Sequence, residues 1–126
     1  MYAAQLEVYK AAQKESASGR EIEALALTNA ALKLRKCQVD WDFEDSDGKR
    51  SNALKINQRI WSILQSELAR EDNPLPSQLK KDLLNLSLLV DKRTFDVMAF
   101  PSPEKLDMLI RINLNIAAGL RGNPVE

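Results

Sequence analysis

Residues 49–70 read KRSNALKINQRIWSILQSELAR. Leu54, Ile56, Ile60, Trp61, Ile63, Leu64 and Leu68 fall on one half of a helical wheel, and Lys55, Gln58, Arg59, Ser62, Gln65 and Ser66 fall on the other. Apolar residues that return every three or four positions share one face of a helix, whereas a strand would divide them between two. The segment is therefore an amphipathic helix that needs a core to face. Asn57 lies inside its apolar half, where an amide without partners costs about 1–3 kcal/mol.

The same period recurs on both sides of this segment. Downstream, Asn73-Pro74-Leu75-Pro76 breaks the chain, and Pro76 suits the first turn of a new helix. That helix runs from about Pro76 to Ala99 and carries two stripes. Leu79, Leu83, Leu86, Val90 and Val97 form the main one; Leu84, Leu88, Phe95 and Met98 form a second, roughly opposite. Ser102-Pro103-Glu104 then combines an N-cap residue, a first-turn proline and a first-turn acid. The last helix follows, with Leu106, Leu109, Ile110, Ile116, Ala117 and Leu120 on its stripe, Asn113 in the middle of it, and Gly119 or Gly122 as its end. Asn57 and Asn113 are placed to meet across a core and fix register; the alternative is that each bonds to nearby backbone.

Upstream, Val39–Gly48 is an acidic loop whose carboxylates miss the calcium-loop order, because no acidic run puts Gly at the sixth position and Glu at the twelfth. Trp41 and Phe43 interleave the acids and are expected to pin the loop to the bundle. Arg20–Gln38 reads as a helix with Ile22, Leu25 and Leu32 on one side and Leu27 and Leu34 roughly 150° away. So wide an apolar arc touches more than one neighbour. Cys37 lies within the arc and reads as a small core residue. Ser16-Ala17-Ser18-Gly19 reads as a linker, and residues 2–15 as a short helix with Tyr2, Leu6 and Tyr9 on a narrow stripe. The fold expected is all-α: one domain over residues 1–126, an up-down antiparallel bundle of about five helices, one short and four longer.

Composition agrees with a globular chain and narrows its chemistry. Of 126 residues 44% are hydrophobic and 29% charged, with 18 basic and 18 acidic side chains in balance. A neutral balance argues against bulk nucleic-acid binding. There is no histidine, which removes the commonest acid/base group, the usual zinc ligand and the Ser-His and Cys-His pairs. The lone Cys37 closes no disulfide and builds no CxxC site, and one reduced thiol suits the cytoplasm. No phosphate-binding glycine loop or nucleophile elbow occurs. No catalytic residue, cofactor or metal site is expected. No apolar run approaches the roughly 18–20 residues of a membrane span, and Met1-Tyr2-Ala3-Ala4-Gln5-Leu6-Glu7 lacks a signal-peptide layout.

What remains is surplus apolar surface. Either all five helices bury it in one core, or Leu84, Leu88, Phe95 and Met98 line a groove that accepts a partner's amphipathic helix, with Tyr2, Leu6 and Tyr9 as a displaceable lid. Asn57, Trp61 and Asn113 are then structural.

The chain also resembles the FlaF family of flagellar proteins along nearly its whole length. The likeness is carried by Met1-Tyr2-Ala3-Ala4 and Tyr9; Arg20-Glu21-Ile22-Glu23-Ala24 with Leu27, Ala31 and Leu34; Asn57, Arg59 and Trp61; Asn73-Pro74-Leu75-Pro76; Arg93-Thr94; and Leu106-Asp107, Ile112-Asn113, Ile116-Ala117, Gly119 and Leu120. The acidic stretch Phe43–Gly48 departs from the family pattern. The resemblance implies a cytoplasmic, non-enzymatic protein needed for flagellin production or export. It implies flagellin as partner, held as by a secretion chaperone, or action with the translational regulator FlbT on flagellin messenger RNA. It defines no contact residue, so the groove rests on the stripes alone. A third reading, an unrelated module that self-associates through the second stripe of the fourth helix, stays open.

Overall fold

The computed structural model describes the backbone of residues 2–122 and the side chains of residues 19–122. Among these residues all regular structure is helical. Four α-helices form: α1 (Tyr2–Val39), α2 (Lys49–Leu68), α3 (Ser77–Ala99) and α4 (Leu106–Leu120), the last preceded by a 3-10 turn at Pro103–Lys105.

Five helices were expected and four are found, because α1 runs unbroken through Ser16–Gly19. A single Gly in a helix costs about 1 kcal/mol relative to Ala, and alanines on either side offset that. The N-cap pattern at Ser102 also acts differently from expectation. Its hydroxyl donates to the Glu104 carboxylate at 2.6 Å and caps no backbone N–H.

One core joins all four helices. Ala24, Leu27, Ala31 and Leu34 of α1 meet Ala53, Leu54 and Trp61 of α2, Val90 and Val97 of α3, and Leu106, Leu109, Ile110 and Ala117 of α4. α1 packs most extensively on α4, and α2 bridges α1 and α3. The α1–α4 pair is antiparallel. Gln38 Nε2 donates to the Pro103 carbonyl at 2.9 Å and to Asp107 Oδ1 at 2.7 Å, while at the other end Arg121 Nη1 donates to Thr28 Oγ1 at 3.2 Å.

A polar knot lies inside this core. Asn113 Nδ2 donates to Asn57 Oδ1 at 2.6 Å and to the Leu27 carbonyl at 3.2 Å. Trp61 Nε1 donates to Asn113 Oδ1 at 2.9 Å. The two asparagines and the indole, all buried, thus tie α4 to α2 and α1. Among the described residues Asn57 Nδ2 is buried without a partner.

The acidic loop is an organised cap for α2. Asp45 accepts from the Arg50 and Ser51 N–H groups at 2.9 and 3.0 Å, supplying acceptors to the first turn. Asp45 itself has φ 52°, and Gly48 has φ 71°, a conformation that favours glycine. Burial pushes the Asp45 carboxyl up, but bonds from the Ser51 hydroxyl and the two N–H groups outweigh it, and the net shift is downward. Trp41 packs against the core, with the Arg50 guanidinium 4.5 Å from its ring centroid. Phe43 does not pin the loop as expected: it is exposed, and its carbonyl, not its ring, is held by Arg50.

Candidate docking face

The helical wheel of α3 divides differently from the two opposed stripes expected. Its buried line is Ser87, Val90, Thr94 and Val97. The two hydroxyls return to their own helix, Ser87 Oγ to the Leu84 carbonyl at 2.6 Å and Thr94 Oγ1 to the Val90 carbonyl at 2.7 Å. Small self-satisfied residues let α3 sit close to its neighbours without orphaned polar atoms. Leu79 of the expected main stripe is exposed, and Leu83 and Leu86 are half-buried.

The second stripe lies beside this buried line and points out. Leu84 is half-buried, while Leu88 and Phe95 are 63% and 61% exposed and Met98 40%. Phe95 lines a shallow open cleft between α2 and α3, together with Lys55, Ile56, Gln58, Arg59, Ser62 and Asp91. Gln65 Nε2 donates to Asp91 Oδ2 at 3.1 Å and fixes the two helices beside the cleft. Among the described residues neither Lys55 nor Arg59 pairs with a carboxylate within 4 Å. The face therefore combines an exposed apolar row with two uncommitted cations. That arrangement suits an amphipathic helix whose apolar residues are flanked by acids.

The lid residues Tyr2, Leu6 and Tyr9 lie outside the residues whose side chains are described. The linker that a lid requires is helical. Asn57 and Asn113 are brought together in the core, away from the cleft lining.

Other features carry less chemistry. Cys37 is half-buried and lines a second cleft formed by the end of α1, the acidic loop and the start of α2. Burial first, then Asp45 and Asp47, push its thiol above the ordinary range, which disfavours the reactive thiolate. Among the described residues no group of three or more acids and cysteines is placed to hold a metal ion. Among them no helix is long and apolar enough to cross a membrane. Sequence reasoning did not find the Arg50–Trp41 stack. Its signal was an arginine at the start of a helix after an aromatic-bearing loop.

No curated protein and no solved structure matches the chain. The family model for the flagellar protein FlaF matches residues 5–120. That range contains all four helices apart from the first residues of α1, and the chain belongs to the FlaF family of flagellar proteins.

Proposed function

We propose that this chain is a non-enzymatic flagellin-binding chaperone that works in the cytoplasm, keeping a terminal helical segment of flagellin covered until export. One observation supports the reading above others. Leu88, Phe95 and Met98 form an exposed apolar row beside a cleft, on a molecule whose core is already complete without them. Exposed apolar rows on a folded domain mark contact sites, and family membership directs the search for a partner to the flagellum. The free cations Lys55 and Arg59 would face acids on the bound helix. A lid formed by Tyr2, Leu6 and Tyr9 would need a turn near Gly19, where α1 is continuous, so displacement of that segment is not part of the proposal.

The test is light scattering after size exclusion, on this protein mixed with monomeric flagellin, intact or lacking its C-terminal helix. A one-to-one complex lost on truncation is expected. Phe95→Asp should abolish that complex while leaving stability within about 0.5 kcal/mol, as for other exposed substitutions. Unfolding by Phe95→Asp would make the row part of the core. Absence of a complex with either flagellin would overturn the reading and direct the search to FlbT or flagellin messenger RNA.

A further inference from the structure

We infer that the outer face of α1 is a seam for a second copy of this chain, joined as a short parallel coiled coil. Over residues 19–39 α1 carries apolar residues on two faces, and among the described residues the bundle packs on one of them. Ala24, Leu27, Ala31 and Leu34 are buried. Ile22, Leu25, Leu32 and Val39 are 54–74% exposed.

The exposed set has heptad spacing. With Ile22 at a, the a positions are Ile22, Asn29 and Lys36, and the d positions are Leu25, Leu32 and Val39. The buried residues then occupy c and f, the side of a coiled-coil helix that faces away from its partner. One helix can thus serve its own bundle and a partner at once.

The residue types select the occupant. Leu25 and Leu32 at d with a β-branched residue at one a position, Ile22, suit two parallel strands, and polar Asn29 and Lys36 at the other two set register and oligomer state at a cost in stability. Such a seam is self-complementary, so an identical helix fits it about a two-fold axis. The charges agree. In a parallel pair, g of one helix meets the following e of the other. Here that places Arg35 of one copy against Asp40 of the other. Arg35 has no ion-pair partner among the described residues, and Asp40 holds Lys36 loosely, at 3.9 Å with both side chains largely exposed. Upstream, a and d carry Glu15 and Ser18, so the apolar seam spans only residues 22–39, about two and a half heptads. A seam that short gives weak, concentration-dependent association. It lies on a different helix from the α3 row, so the two proposals stand independently.

Light scattering over a concentration series of the full chain tests this. The mass should rise from 14.2 kDa toward twice that value, and the rise should disappear in a Leu25→Asp/Leu32→Asp variant that keeps its helical circular dichroism. A mass constant at the monomer value, or a dimer that survives the double substitution, overturns the proposal. A cross-linking arm avoids dependence on that variant's folding. In a Cys37→Ser background, Leu25→Cys should form a disulfide dimer under mild oxidation, because a parallel seam sets the two copies of residue 25 side by side. Ser62→Cys, on α2 at the α2–α3 cleft and away from α1, should not. Equal cross-linking at both positions, or none at residue 25, overturns the parallel seam.

Discussion

Asn113 and Asn57 share a hydrogen bond but carry unequal loads. Asn113 uses its amide twice as donor and once as acceptor, toward Asn57, Leu27 and Trp61. Asn57 contributes one acceptor, and among the described residues its own Nδ2 is buried without a partner. A buried polar group left unpaired costs about 1–3 kcal/mol. Asn113→Leu, nearly isosteric, strands the Trp61 N–H and Asn57 Oδ1 together and should destabilise by about 3 kcal/mol. Asn57→Leu removes an orphaned donor and leaves Asn113 its Leu27 bond, so its cost should stay below about 1 kcal/mol. Urea midpoints of the two variants decide this, and equal costs would contradict the bond assignment. The position of each asparagine inside an apolar stripe was legible in the sequence. That they meet was one of two open outcomes, because periodicity assigns a face but not the residue across from it. The unpaired Nδ2 was beyond reach, since it depends on how three side chains share the available acceptors.

At the level of elements, the periodic segments were legible and their punctuation was less so. The helices now labelled α2 and α3 begin and end near the residues that spacing and prolines indicate. α1 differs, because Ser16-Ala17-Ser18-Gly19 resembles a linker in composition while each of its residues is tolerated in a helix. The backbone there is helical, and among the described residues a Cβ added at Gly19 would meet nothing within 4 Å. Gly19→Ala should therefore stabilise the protein by about 0.5–1 kcal/mol, seen as a higher thermal midpoint. A flexible linker at this point would show no such gain. The stripes of α3 illustrate a different limit. A wheel identified Leu84, Leu88, Phe95 and Met98 as a set, but only packing shows that three of them are exposed while Ser87 and Thr94 take the interior. Back-bonded hydroxyls make small polar residues acceptable inside, a choice that an apolar count does not register.

For the whole molecule, 18 positive and 18 negative side chains cancel, so net charge near neutrality exerts little global repulsion and pH acts through particular groups. Glu23 on α1 is the clearest. Burial, then a hydrogen bond that its protonated form donates to Glu67 on α2, then repulsion from Glu67, push its carboxyl from 4.5 up to about 7, against an opposite pull from Arg20. Between those values the folded chain holds a proton that the unfolded chain has released. Stability contributed by this group is full below about pH 4.5, falls as pH rises through 7, and stays low above it. Asp42 acts in the opposite sense. The Ser46 hydroxyl and N–H hold its carboxyl below 3.8, so its contribution is lost only as pH falls beneath that value. The two together place the stability maximum on the mildly acid side of neutrality. The thermal midpoint should drop between about pH 5 and pH 8 in the native chain. Glu23→Gln keeps a neutral hydrogen-bonding group beside Glu67 and removes the titration, so it should flatten that drop and raise the midpoint at the alkaline end. An unchanged pH profile in Glu23→Gln would assign the drop to another group and deny the α1–α2 contact its role in setting it.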